Sequence, residues 1–235
     1  MMENMEQNFK GFEPDTYRFL MELGFYNEKP FFDANRARCR RVVQEPMRAL
    51  ATDLIPAALA MDPGFNTRLT TVVSRMNRDT RFSKDKRPYR DHGWIGFRHP
   101  DTRTSESLCV YFEIDPDGYG YGMGMYDANP ALMKPFRARV LADPERFLAI
   151  LADPRLAGFE VRGEPYKRDH FPDAPEAVKP YINRKGISWC FYSKDLKKTL
   201  EPALLDEVLD GFDAMKPLYR FVQGMEVQKQ GGKRK

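Results

Sequence analysis

Residues 108–125, LCVYFEIDPDGYGYGMGM, decide the fold class. Leu108, Val110, Phe112 and Ile114 alternate with Cys109, Tyr111 and Glu113, the period of a strand that buries one face. Asp115-Pro116-Asp117-Gly118 supplies the residue types of a tight turn, and the chain returns through Met125. An antiparallel hairpin is the expectation. On the returning strand Tyr119, Tyr121, Met123 and Met125 share one face, and Gly120, Gly122 and Gly124 share the other. Glycine weakens a strand through its backbone entropy and packs nothing. Three glycines on one face therefore imply that something approaches closely. The residues leave two occupants open, a helix lying on a smooth sheet and a bound ligand, and the helix is favoured.

Outward from the hairpin, Leu69–Val73 is β-branched and apolar and reads as a strand, as do Gly93–Arg98, Phe159–Arg162 and Ile187–Tyr192. Helices flank them. Glu13-Pro14-Asp15 opens a first helix with Tyr17, Leu20, Met21 and Leu23 on its apolar side, ended by Gly24. Asn27–Pro30 caps a second one running through Phe31, Phe32, Asn35, Cys39, Val42 and Val43. Pro46 predicts a kink or restart there, after which Met47, Leu50, Leu54 and Ala58 continue at helical spacing. The Phe31/Phe32 pair reads as core packing in preference to a wall for a ligand.

Asn129-Pro130 and Asp143-Pro144 start two later helices, and Glu201-Pro202 starts a long one through Leu204, Val208, Phe212 and Met215, with a last turn over Pro217–Val222. Residues 1–11 read as loosely ordered and 163–180 as an ordered surface loop. The fold class is α+β, a largely antiparallel sheet with a central hairpin, covered by N- and C-terminal helices. Residues 1–228 are expected to form a single domain, and 229–235 a basic disordered tail.

At 235 residues, 42% hydrophobic and 31% charged, one elaborated domain is favoured over two small ones. The net charge of +4 is accounted for by Lys229, Lys233, Arg234 and Lys235, so the rest of the chain is formally neutral. A broad nucleic-acid footprint spreads positive charge over a face; here the excess is a tail. Cys39, Cys109 and Cys190 are far apart with no C-x-x-C pair, which argues against a disulfide framework and a zinc knuckle and for thiols in the core of a cytoplasmic protein. No cationic start followed by an apolar run opens the chain, and its longest apolar stretch, Leu54–Met61, is too short to span a bilayer. No membrane partner is expected, and the oligomeric state is not legible.

The densest side-chain chemistry lies in residues 74–90, SRMNRDTRFSKDKRPYR. Arg75, Arg78, Arg81, Lys84, Lys86, Arg87 and Arg90 crowd beside Asp79 and Asp85, with Phe82 and Tyr89 interleaved. Such a segment repels itself unless anions sit among the cations. Three readings follow. Asp79, Asp85 and Glu113 could neutralise the cations in an internal network that fixes geometry more than it adds stability. A phosphate- or carboxylate-bearing small ligand could be gripped by Arg75, Arg78 and Arg81, with Lys86 and Tyr89 closing over it. Nucleic acid is the least favoured occupant.

Arg75, Arg78, Asp79, Arg81, Phe82, Lys86 and Tyr89 fit the pattern R-x-x-R-D-x-R-F-x-x-x-K-x-x-Y. In this the chain resembles a bacterial family catalogued as domain of unknown function 2461. The likeness extends to Phe9-Lys10-Gly11-Phe12, Phe32-x-x-Asn35, the tyrosine- and glycine-rich hairpin, Lys167-Arg168 and Pro217–Phe221. It implies a shared fold and carries no assigned activity.

Catalytic candidates are few. His92, His99 and His170 are isolated, so no metal-ligand spacing exists, and neither a P-loop, a G-x-S-x-G elbow nor a G-x-G-x-x-G turn is present. No cofactor or metal is expected. His92 and Asp79 are the two proton carriers beside the window, although a lone histidine at a strand start is more often structural. Two classes remain, a binder or enzyme for a small anionic ligand held by the Arg/Lys loop, and a non-catalytic interaction module, with nucleic acid a less favoured partner.

Overall fold

The structure, a computed structural model, describes residues 7–81, 83–100, 102, 107–125 and 127–225. The expected basic tail and Phe82 of the charged window lie outside the described residues. Five strands, β1 (Gly93–Phe97), β2 (Leu108–Asp115), β3 (Gly118–Met125), β4 (Glu160–Arg162) and β5 (Ser188–Ser193), form one sheet in the order β1-β2-β3-β5-β4. Every neighbouring pair is antiparallel. The hairpin sits at the centre with Val110 opposite Met123 and Phe112 opposite Tyr121.

The helices are α1 (Pro14–Phe25), α2 (Lys29–Ala34), α3 (Arg36–Cys39), α4 (Glu45–Met61), α5 (Leu69–Val72), α6 (Pro130–Ala142), α7 (Pro144–Leu151), α8 (Lys179–Ile182), α9 (Leu196–Thr199) and α10 (Leu204–Gln223). Two residues named for helix starts act as caps: Asn129 Oδ1 accepts from Leu132 N at 3.0 Å and Asp143 Oδ1 from Arg146 N at 3.0 Å, satisfying N–H groups that a helix start leaves without partners. Asn27 does not, since α2 is preceded by Glu28 without a side-chain cap, and Gly24 lies inside α1, which runs to Phe25. Gly224, at φ 74°, ends α10 in the left-handed region open to glycine.

Strand alternation sorts the sheet into two faces with different fates. Leu108, Val110, Phe112 and Ile114 of β2, Tyr119, Tyr121, Met123 and Met125 of β3, and Trp189 of β5 are all buried. The helices meet this face. Phe212 of α10 stands edge-on to Phe97 at 6.3 Å, Phe12 stacks on Phe112 at 6.3 Å, and Phe136 of α6 meets Trp189 at 6.2 Å. Tyr119 reaches past the core to donate its hydroxyl to Glu207 Oε1 at 2.8 Å, since a buried hydroxyl needs a partner.

The two long helices α4 and α10 are tied by Asp62, the residue after α4. Its Oδ2 accepts from the Tyr219 hydroxyl at 2.7 Å and lies 2.9 Å from His99 Nε2, while Oδ1 accepts from Gly64 N at 2.8 Å. Burial works against the charged carboxylate, and the hydrogen bonds from Tyr219, Gly64 and His99 outweigh it, leaving its pKa below the ordinary value.

Several expectations are corrected. Leu69–Val73 is no strand: Leu69–Val72 closes a single helical turn, with Thr71 N and Val72 N both bonding Arg68 O, and only Val73 pairs, opposite Ile95. Four residues are too few for β-propensity to overrule local hydrogen bonds and the burial of Val72. The helix after Pro30 breaks at Asn35, and Arg40–Gln44 forms a π turn, so the irregularity precedes Pro46, which sits in the first turn of α4. Pro56 and Pro217 lie inside α4 and α10 without ending them. Among residues 7–11, Phe9 is fully buried and its N–H donates to Asp53 Oδ2 at 2.8 Å, so that stretch is anchored where looseness was expected.

The described atoms nearest to the glycines of β3 belong to neighbouring strands and not to a helix. A Cβ on Gly122 would lie 3.1 Å from the Tyr111 hydroxyl, and one on Gly118 2.7 Å from that of Tyr192. Side chains of the flanking strands fill that space. On the opposite face, Gly211 of α10 lets the ring of Tyr121 press against the helix backbone, where a Cβ would collide with Cε2.

Gly211→Ala sets two effects against each other. Alanine gains up to about 1 kcal/mol of helix propensity, whereas overpacking a dense core costs about 1–3 kcal/mol. Urea unfolding is expected to show the variant less stable than the parent; a more stable variant would contradict the close packing of Tyr121 on α10.

Candidate functional site

The charged window folds back on itself. Ser74 N donates to Trp94 O at 2.8 Å, Arg90 N to Met76 O at 2.7 Å and Arg78 N to Pro88 O at 2.8 Å, and Asn77 pairs with Tyr89. The segment is thus an irregular antiparallel ribbon on the outer edge of β1. Asn27 clamps it, accepting from Tyr89 N at 2.9 Å and donating to Tyr89 O at 3.0 Å, while the Tyr89 ring stacks on Phe32 at 4.1 Å. Tyr89 is 5% exposed and anchors the ribbon.

At its tip the same local device occurs twice. Asp79 Oδ1 accepts from the backbone N–H of Arg81 at 3.2 Å, and the Arg81 guanidinium returns to the same carboxylate at 2.6 Å. Asp85 Oδ1 accepts from Arg87 N at 3.0 Å, and Arg87 Nε lies 3.0 Å from Oδ2. Asp153 and Arg155 repeat the arrangement elsewhere. Arg78 Nη1 also reaches Asp85 Oδ2 at 2.6 Å, Arg87 continues to Asp91 at 3.2 Å, and Lys86 Nζ donates to Thr80 O at 3.0 Å. The side-chain and backbone bonds from Arg81 hold Asp79 near pKa 2, and those from Arg87, with Arg78, depress Asp85 further.

The five residues named for anion binding are therefore not brought together. Arg78, Arg81 and Lys86 each face an acid or carbonyl of the ribbon, Tyr89 is packed inside, and Arg75 is exposed. Asp79 is engaged by Arg81. Lys84 and Arg90 have no carboxylate partner among the described residues, and Arg90 Nε is buried without an acceptor. Glu113, expected to neutralise the cations, makes no ion pair with them among the described residues; it lies on β2, opposite Trp94 and Gly120.

His92 stands at the junction of ribbon and sheet. Its Nδ1 lies 3.1 Å from Asp91 Oδ1, and Asp91 in turn receives Arg87. Burial works against the Asp91 carboxylate, but the hydrogen bond with His92, a backbone N–H and the nearby Arg87 together outweigh it, so its pKa is lowered. His92 is also one of the groups that act on Glu113 of β2.

A second cationic cluster frames a hollow of about 380 Å³, lined by Tyr166, Lys167, Arg168, Lys179 and Arg184 among others. Tyr166 N bonds Asn183 O at 2.9 Å, and Asn183 Nδ2 bonds Asp169 at 2.7 Å. Arg184 donates to Pro180 O at 2.7 Å and Gly163 O at 2.6 Å. Arg137 supports it from below, its guanidinium within 5.6 Å of the Tyr166 and Phe171 rings and its Nε on Ile182 O at 2.9 Å. Lys179 is neutralised by Glu176 at 2.6 Å and Asp169 at 3.2 Å. Lys167 and Arg168 are exposed and have no ion pair among the described residues.

A family model described as "Conserved hypothetical protein (DUF2461)" matches residues 15–221. The chain belongs to that family. The DUF2461 match begins in α1 and ends in α10, so it takes in the ribbon, the whole sheet and the Tyr166–Arg184 hollow. No curated protein matches the chain. Among the described residues no three His, Cys, Asp or Glu side chains gather where a metal ion could be held, and no described helix is long and apolar enough to cross a membrane.

Exposed ion pairs add little to global stability, so the effect of the tip carboxylates is local. Asp85→Asn is expected to speed tryptic cleavage within residues 78–87 severalfold while leaving the unfolding midpoint nearly unchanged. Both carboxylates have depressed pKa values, so their ties are complete above the unfolded value of 3.8 and are lost as pH falls through about 2 for Asp79. Amide exchange of Arg81 measured across that interval would show protection fading with acid; a flat profile would remove the role assigned to Asp79.

Proposed function

We propose that this DUF2461 chain binds a small anionic ligand, bearing phosphate or carboxylate, in the hollow between Tyr166 and Arg184, and that the arginine window is an internal brace. One observation carries this: Lys167 and Arg168 line a hollow of about 380 Å³ with no carboxylate bound to either, whereas Arg78, Arg81 and Arg87 each hold an aspartate. The volume lies in the range of small-molecule sites, about 300–1,000 Å³.

A carboxylate or phosphate entering there would meet two cations whose alternative is water, and one guanidinium, Arg184, already fixed in position by two carbonyls. At the window the same ligand would have to displace Asp79 or Asp85, which are held at no cost in loop closure because each lies two residues from its arginine. The three buried, unpaired thiols fit a reducing compartment, and we read the chain as cytoplasmic on that ground.

Thermal unfolding with inorganic phosphate, sulfate and succinate tests the assignment. A ligand that binds only the native state stabilises by about 2.7 kcal/mol at a hundredfold excess over Kd, or about 5–11 °C for a chain of this length. The expected result is a rise with at least one of these anions that Lys167→Ala/Arg168→Ala abolishes and Arg81→Ala preserves. The reverse pattern would return the site to the window, and no rise with any anion would remove the function.

A further inference from the structure

The face of the sheet turned away from the helices is built from side chains that none of the preceding assignments use. Across it runs one row of Trp94, Glu113, Gly120 and Tyr192 on β1, β2, β3 and β5, and beside it a row of Gly96, Tyr111, Gly122 and Cys190. Each large ring leans over a glycine. Trp94 covers Gly96, the Tyr111 hydroxyl lies over Gly122, and Tyr192 spans Gly118 and Gly120 with its hydroxyl 3.0 Å from Asp115. Trp94 and Tyr111 are nearly parallel, 22° between planes at 6.3 Å. The rings are half-buried, so part of each remains open to solvent.

Between these rings sits a carboxylate with nothing to hold. Glu113 is half-buried, with Oε1 3.6 Å from where a Cβ on Gly120 would stand, and no described group donates a hydrogen bond to it. Its neighbours are committed. Asp115 accepts from Tyr192 and from the amides of Asp117 and Gly118, Asp91 faces Arg87 and His92, and Arg162 of β4 bonds Glu160 at 3.0 Å. Burial raises the Glu113 pKa, the expected response of a carboxyl lacking donors.

We propose that this face binds a small organic cation, an ammonium or guanidinium on a flat apolar body, with Glu113 as counter-ion and the rings of Trp94, Tyr111 and Tyr192 as the surface it lies against. Charge decides the class. An anion would meet Glu113, Asp115 and Glu160, against one guanidinium already bound to Glu160 and the His92 imidazole already beside Asp91. A neutral apolar ligand would seal Glu113 from water without a partner, which is costly. An organic cation gives the carboxylate its donor and places positive charge against aromatic faces, an attraction that grows as water is excluded. The inference does not depend on the anion hollow, which lies beyond β4.

Benzamidine is the probe, with neutral benzamide and anionic benzoate as controls of the same shape, titrated at about pH 8, well above the ordinary carboxylate range. Of the two tryptophans, Trp189 is 2% exposed, so a change in fluorescence on titration reports Trp94, and calorimetry reads the same binding without relying on it. The expected result is saturable binding of benzamidine, little or none of the controls, and about tenfold or greater weakening in Glu113→Gln with its unfolding midpoint kept. Equal binding of benzamide, unchanged affinity in Glu113→Gln, or no saturable binding of benzamidine overturns the proposal. Should Glu113→Gln fail to fold, selectivity for the cation over its two controls in the parent protein decides alone.

Discussion

The alternation of large and absent side chains along β3 is the constraint on which the architecture rests. Tyr119, Tyr121, Met123 and Met125 give the sheet one face deep enough to bury α10, α4 and the N-terminal helices. On the reverse, Gly118, Gly120, Gly122 and Gly124 remove the bulk that a second helical layer would need to pack against. Rings from β2 and β5 settle into the vacated space, and Trp94 of β1 does the same over Gly96 of its own strand. A sheet covered on one side only commonly alternates apolar and polar residues; here the uncovered side is aromatic, with one carboxylate among the rings.

The electrostatics divide in the same way between groups that are satisfied within the chain and groups that are not. An aspartate two residues before an arginine can hold both the backbone N–H and the guanidinium of that residue, and Asp79, Asp85 and Asp153 all do so. Dense charge in the window is therefore a sign of internal closure. Charge that is left over sits at Lys84 and Arg90 within the window, at Lys167 and Arg168 on the hollow and, with the opposite sign, at Glu113.

The hairpin, the α+β class and the caps at Asn129 and Asp143 were legible because a two-residue period and a cap are local facts. Leu69–Val73 was misread because a five-residue run of mostly β-branched residues satisfies strand and helix alike, and the π turn at Arg40–Gln44 leaves no mark in residue type. The occupant of the glycine face was out of reach for a different reason. Tyr192 arrives from about seventy residues downstream, and only pairing of β5 with β3 puts its ring over Gly118. Glu113 shares a face with Tyr111 and Asp115 by simple alternation, a signal that could have separated it from the arginines of the window. His92 was named for its nearness in sequence to the window, and its contact with Asp91 is a matter of adjacent residues. Lys167 and Arg168 were seen as cations, but the hollow they line requires the turn at Glu176–Val178 and α8 to fold against them.

The ribbon on the outer edge of β1 has a consequence for the protein in a crowded solution. A sheet edge offers a row of unsatisfied amides and carbonyls that another copy can extend, the first step of strand-by-strand aggregation. Val73 and Ser74 occupy that row opposite Ile95 and Trp94, and the chain beyond them folds back as a ribbon closed by its own ion pairs. The opposite edge is three residues long and ends in Glu160 and Arg162. Both margins thus discourage a second sheet from docking edge to edge, which leaves the broad aromatic face free to stay open without making the molecule adhesive along its sides.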